Sequence, residues 1–182
     1  MNKIDITNIK NINNSNLKQS EVKTEDIHSN QGTYVGDVAN GKRNGYGTFT
    51  YKNGTVYKGN WKDNLTEGYG EFYWPTGETY IGYSKRDFRD GFGIYTWEDG
   101  DKFEGNWKAD LKQGFGKYTF ADGSNYVGEW SNDMRNGYGK EILANGSVYI
   151  GEWKDDLRHG NGILVDSEGN STIVKCFEDK II

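Results

Sequence analysis

Apolar and polar positions along this chain alternate in short runs. Tyr57-Lys58-Gly59-Asn60-Trp61 has a period of two, the spacing of a strand with one apolar side. Gly68-Tyr69-Gly70-Glu71-Phe72-Tyr73-Trp74 predicts a second strand, and the polar stretch Lys62-Asp63-Asn64-Leu65-Thr66-Glu67 predicts a loop between the two. The second strand of each unit is followed by Asn53-Gly54, Thr76-Gly77, Asp99-Gly100, Asp122-Gly123, Asn145-Gly146 or Glu168-Gly169. Asn-Gly and Asp-Gly favour the tight hairpin turn with positive φ at both central residues. Each unit is therefore expected to be a β-hairpin, joined to the next by a tight turn. The sum is an all-β fold, an elongated antiparallel β-meander of about twelve strands, which at ~4.8 Å per strand extends roughly 58 Å.

The pattern repeats without insertion. An aromatic-x-Gly triplet recurs every 23 residues, led by Tyr34, Tyr57, Tyr80, Phe103, Tyr126 and Tyr149. Its glycine and the Gly-x-Gly and turn glycines form four columns that hold 24 of the 26 glycines. Trp61, Trp107, Trp130 and Trp153 share another column; Trp74 and Trp97 share one with Tyr51 and Phe120. Glycine weakens a strand unless a neighbouring ring covers its bare backbone. Each glycine column is accordingly expected to lie beneath an aromatic column. With no second layer to supply a core, stability comes from neighbouring repeats.

Composition narrows the chemistry. Aromatic residues make up 15% of a chain that is only 34% hydrophobic, so the apolar surface to be buried is mostly Tyr, Phe and Trp. The net charge of −5 argues against a nucleic-acid or anionic-membrane surface as the dominant partner. Cys176, the single cysteine, has no internal disulfide partner. No apolar run approaches the ~20 residues of a membrane span. The N-terminus lacks an apolar signal core, and the expected compartment is cytoplasmic.

The unit Tyr-x-Gly-x-Trp, followed after six residues by Gly-x-Gly and closed by Asp-Gly or Asn-Gly, resembles the MORN (membrane occupation and recognition nexus) repeat. The resemblance covers residues 34–171 in six units. It implies a non-catalytic scaffold of the kind found in cytoskeletal and ciliary assemblies, such as the radial spokes of axonemes. The sequence departs from the pattern in places. The glycine eight residues into the repeat survives only at Gly41; Asn64, Asp87, Asp110, Asp133 and Asp156 take its place. Asn and Asp tolerate the left-handed region, so the loop conformation is expected to persist. Val38 and Ser84 stand in the Trp column, and Glu141 and Asp166 replace aromatic residues.

Residues 1–33 lie outside the repeats and are rich in Asn, which points to a disordered leader or a peptide that docks on a partner. Residues 172–182 begin with the β-branched stretch Thr172-Ile173-Val174, read as a strand that caps the sheet edge or pairs with a partner or a second copy.

Site chemistry is sparse. The Gly-x-Gly pairs lack the helix and further motif of a phosphate loop. Members of the acidic column Asp87, Asp110, Asp133 and Asp156 recur two strands apart, ~9.6 Å, too far to share an ion that needs oxygens at ~2.4 Å. With the basic column Arg89, Lys112, Arg135 and Arg158 they read as loop charges that keep the surface soluble. His28 and His159 do not pair with Cys176 in any catalytic spacing. No catalytic, cofactor-binding or metal-binding residue is therefore assigned.

The candidate surface is the aromatic face: Tyr34, Tyr57, Trp61, Tyr80, Phe103, Trp107, Tyr126, Trp130, Tyr149 and Trp153. A one-layer sheet cannot bury both faces, and an aromatic surface left partly open suits a protein segment. Beside the repeats the chain leaves no room for a catalytic domain. Two alternatives remain: a peripheral membrane module recognising phosphoinositides, disfavoured by 16 Lys and Arg against 21 Asp and Glu in residues 34–171, and a regulatory subunit of a separate enzyme.

Overall fold

The computed structural model describes residues 23–28 and 30–182. Its strands form one antiparallel sheet in which every strand pairs with its neighbours in sequence. Six hairpins make up the repeats: β2 (Gly32–Ala39) with β3 (Lys42–Tyr51), β4 (Val56–Lys62) with β5 (Leu65–Tyr73), and β6 (Thr79–Lys85) with β7 (Phe88–Thr96). They continue as β8 (Lys102–Lys108) with β9 (Leu111–Thr119), β10 (Asn125–Ser131) with β11 (Met134–Ile142), and β12 (Val148–Lys154) with β13 (Leu157–Val165). These are the twelve strands of the expected meander. The sheet continues past both ends of the repeats. β1 (Lys23–His28) pairs with β2, while β14 (Ser171–Phe177) pairs with β13 and with the two-residue β15 (Lys180–Ile181). β1 falls inside the segment read as a leader; residues 1–22 and 29 lie outside the described residues. The expected terminal strand, β14, is thus followed by one further short strand.

The two kinds of turn are the reverse of the sequence expectation. The stretch read as a six-residue loop is a two-residue turn, with Asp63 and Asn64 at φ 50° and 73° between the paired Lys62 and Leu65. Arg86/Asp87, Ala109/Asp110, Asn132/Asp133 and Asp155/Asp156 repeat it, with positive φ at both residues, the geometry of the primed hairpin turns. The Asn-Gly and Asp-Gly sites instead close three-residue loops. Gly54 N–H donates to the Tyr51 carbonyl at 2.9 Å, and of the loop residues only Gly54 has positive φ. The cause is the Asx side chain. Asn53 Oδ1 accepts the Thr55 N–H at 3.0 Å, and Asp99, Asp122 and Asn145 do the same for the residue two positions on, which leaves the left-handed step to glycine alone.

The glycine columns also divide. The first and third, such as Gly82 and Gly93, face each other across the hairpin under a ring, as expected. The first glycine of Gly-x-Gly is different. Gly68, at φ 95°, lies where β5 bulges, so that Glu67, Gly68 and Tyr69 together oppose Asn60. The loss of side chain there serves backbone conformation, and in this column no ring lies over the backbone except Tyr83 beside Gly91.

Candidate functional site

One face of the sheet carries its own second layer, built from its side chains. A Tyr or Phe lies flat on each pair of facing glycines; Phe103, for example, covers Gly105 and Gly116. The Tyr34, Tyr57, Tyr80, Tyr126 and Tyr149 hydroxyls each donate to the carbonyl three residues on, at 2.7–3.1 Å. A Trp then stands edge-on against the ring of its own repeat and that of the one before. Trp130 lies 5.2 Å from Tyr126 and 5.3 Å from Phe103, near perpendicular to both. Trp61, Trp107 and Trp130 Nε1 donate to the Gly47, Gly93 and Gly116 carbonyls at 3.2, 3.3 and 3.2 Å. A cation roofs each indole: Arg43 over Trp61, Arg89 over Trp107, Lys112 over Trp130 and Arg135 over Trp153, at 4.1–4.5 Å. Each ring pair contributes ~0.5–1.5 kcal/mol beyond burial, and each cation–ring contact ~0.5–2 kcal/mol.

The acidic column holds the roof in place. Asp110 Oδ1 accepts the backbone N–H of Arg89 at 2.8 Å and its Nε at 2.9 Å, while Asp110 N–H donates to the Arg89 carbonyl. Asn64, Asp87, Asp133, Asp156 and Asp179 repeat the backbone exchange with Arg43, Thr66, Lys112, Arg135 and Arg158. These residues stitch each turn to the preceding repeat, a role more specific than surface solubility. The left-handed residue with an acceptor side chain explains why Asn and Asp replace glycine there. Among the described residues no group of acidic, His or Cys side chains is placed to hold a metal ion.

All ten aromatic residues of the candidate face fall on this side and all are buried, at 0–6% exposure. They form the interior of the second layer. Burial pushes the Tyr34 and Tyr149 hydroxyls up to about 12 and those of Tyr57, Tyr80 and Tyr126 further still. Solvent reaches the face through a neighbouring row: half-buried Phe72, Trp74, Tyr95, Trp97 and Tyr118, and exposed Phe120. These rings run on as a chain of contacts, Phe72–Trp74 at 5.4 Å, Trp74–Tyr95 at 5.6 Å, Tyr95–Trp97 at 4.6 Å and Trp97–Tyr118 at 5.3 Å. Tyr95 and Tyr118 are fixed by hydrogen bonds to Glu78 and Asp101.

The opposite face holds a feature missed in the sequence reading. The middle residue of five of the six Gly-x-Gly pairs is aromatic, while Asn161 holds the sixth position, and Tyr46, Tyr69, Phe92, Phe115 and Tyr138 point outward at 45–64% exposure. Its signal was present, in fixed register between two glycines, and alternation along the strand places it opposite the covered glycine. A hollow of 750 Å³ between successive two-residue turns has mostly charged walls, Lys62, Glu67, Lys85 and Asp90 among them, with Leu65 and Phe88. A smaller cavity of 310 Å³ opens on the aromatic face beside Ser84. Cys176 is buried in the Trp column one repeat beyond Trp153, and His159 packs on Phe177 at 5.3 Å.

Among the described residues no helix is long and apolar enough to cross a membrane. No curated protein matches the chain. Among solved structures it is similar to the SAS-4 (dCPAP) TCP domain of Drosophila melanogaster, determined in complex with a proline-rich motif of Ana2 (dSTIL). That match has a TM-score of 0.47 and 17% identity, and covers 82% of this chain and 88% of the other. The family model of the MORN repeat matches residues 34–56, 57–79, 80–102, 103–125, 126–148 and 149–171 without a gap. With its repeats contiguous over most of its length, the chain belongs to the MORN repeat family.

Proposed function

We propose that this protein is a non-catalytic protein–protein interaction scaffold, a cytoplasmic subunit of a cytoskeletal or ciliary assembly such as an axonemal radial spoke. The observation that carries the reading is the continuous row of rings from Phe72 to Phe120 along the aromatic face. The ten buried rings act as its floor and hold it rigid, so a partner segment laid across the repeats meets apolar surface already ordered. Preorganisation of this kind lowers the ordering cost of binding, and aromatic anchors supply most of the energy in such contacts, commonly ~2 kcal/mol or more each. The cytoskeletal placement rests on the family. The membrane alternative finds little support in the charges: the cations on this face are engaged with indoles and carboxylates, and the net charge is −5.

The test is quantitative capture from a ciliated-cell extract by the immobilised full chain, parent against Trp74→Ala/Trp97→Ala/Phe120→Ala. The triple variant should melt at a lower temperature but remain folded with its strand spectrum intact at the capture temperature, and lose the specific partners. Unchanged recovery of those partners would overturn the reading. Tight, salt-resistant sedimentation with phosphoinositide vesicles would favour the membrane alternative.

A further inference from the structure

The cavity at Ser84 coincides with two breaks in the repeat. Ser84 occupies the column of Trp61, Trp107, Trp130 and Trp153, and Thr66 occupies the column of Arg43, Arg89, Lys112, Arg135 and Arg158. In four repeats, from Arg43, Arg89, Lys112 and Arg135, the cation lies over the indole 18 residues on, as Arg89 does over Trp107 at 4.2 Å. Thr66 and Ser84 are 18 apart, so one stacked pair is missing as a unit. The walls are those an indole would touch. Trp107 packs between Tyr80, Tyr95 and Phe103; the corresponding rings around position 84 are Tyr57, Phe72 and Tyr80, and Phe72 and Tyr80 line the cavity with Trp74 and Tyr95. The acceptor corresponding to the Trp107 partner, the Gly93 carbonyl, is the carbonyl of Gly70.

Charge completes the pattern. Asp110 and Asp156 form ion pairs with Arg89 and Arg135, their partners in the basic column. Asp87 faces Thr66 instead, accepts its N–H at 2.7 Å, and among the described residues has no cation within ion-pair distance. Asp87 lines the cavity, as does the Arg89–Asp110 ion pair. At 310 Å³ the cavity sits at the low end of the ~300–1,000 Å³ of ligand pockets.

We infer that this cavity receives an aromatic side chain, an indole above all, from a partner protein segment in which a basic residue adjoins it. The ring enters the cavity beside Ser84, where the other repeats place their own tryptophan, and the cation meets Asp87. The N-terminal segment does not supply the ring, because residues 1–33 contain no Phe, Tyr or Trp. The inference rests on the scaffold reading and adds the chemistry of the partner.

The experiment titrates the ¹⁵N-labelled full chain with a capped tetrapeptide bearing tryptophan next to arginine, and follows amide shifts. Shifts centred on Ser84, Asp87 and Arg89 are expected. Replacing the peptide's tryptophan with alanine should abolish them, and replacing its arginine with glutamate should weaken binding roughly threefold or more. Ser84→Trp should abolish binding; Thr66→Arg/Ser84→Trp, which restores the repeat's own pair, should do so with a melting temperature at or above the parent's. Binding unaffected by either variant, shifts centred elsewhere, or equal binding of the glutamate peptide would overturn the proposal. A concentration-dependent dimer dissolved by Ser84→Trp would overturn it in favour of a second copy. If the pocket fails while Trp74→Ala/Trp97→Ala/Phe120→Ala still releases captured partners, the scaffold reading stands without it.

Discussion

A methyl group added at Gly93 has no free space. On the native backbone its Cβ would lie 2.6 Å from Tyr80 Cζ, against an ordinary carbon–carbon separation of ~3.5–4.0 Å. Tyr80 is held on every side. It is 0% exposed, stands edge-on to Trp107 at 6.0 Å, and donates its hydroxyl to the Tyr83 carbonyl at 2.7 Å. Either the ring lifts and loses these contacts or the Gly82–Gly93 pairing opens. Overpacking costs ~1–3 kcal/mol and a lost hydrogen bond ~1 kcal/mol more, which places Gly93→Ala near 3 kcal/mol on that scale and Gly93→Val above it. Gly77→Ala is the matched control. It has φ 97° and nothing within 4 Å of its Cβ, so it pays only the left-handed strain of ~1–2 kcal/mol. Urea unfolding followed by tryptophan fluorescence measures both. In a Tyr80→Ala background most of the Gly93→Ala cost should vanish, because the clash is with that ring. Equal costs at Gly93 and Gly77, or no coupling to Tyr80, would refute the ring-over-glycine account.

Asp110→Ala should cost ~1–2 kcal/mol, read from the same unfolding curves, because it strands the Arg89 N–H and releases the cation that roofs Trp107; a change below a few tenths would deny the stitching role. Glu141 joins Arg135 at 2.7 Å and Arg158 at 2.6 Å from a nearly buried position. Glu141→Ala should therefore cost ~3 kcal/mol, while Glu141→Tyr, which restores the aromatic column, should lose less in thermal melts. Tyr34 and Tyr149 have folded-state values raised to about 12, above the unfolded ~10. Their contribution to stability is then full below pH ~10 and is lost as pH rises toward ~12. Tyrosinate absorbance should show these hydroxyls ionising only with unfolding; normal titration of all 13 tyrosines in an intact fold would contradict their burial.

The meander was legible because strand period and repeat length are both written in residue type. The rings over Gly82 and Gly93 followed from spacing alone. The turns were misassigned because Asn-Gly favours two conformations, and the choice depended on Asn53 Oδ1 capturing the Thr55 N–H. The acidic column looked like surface charge because its partners lie 21 residues away, in the preceding repeat. The ten aromatic residues of the candidate surface do share one face, but their burial was not legible. Whether Tyr57 or Trp61 reaches solvent depends on Trp edges and Arg43 closing over them, a tertiary fact. The outward ring between five of the six glycine pairs was visible in the register, and alternation from the covered glycine places it on the other face.

Hydroxyl-radical footprinting of the full chain, free and with a captured partner bound, tests the central claim most directly, because rings on the two faces are labelled independently. The account predicts that binding protects Trp74, Tyr95, Trp97, Tyr118 and Phe120 while Tyr46, Phe92, Phe115 and Tyr138 stay as reactive as in the free protein. Protection of the second set with the first unchanged would contradict it.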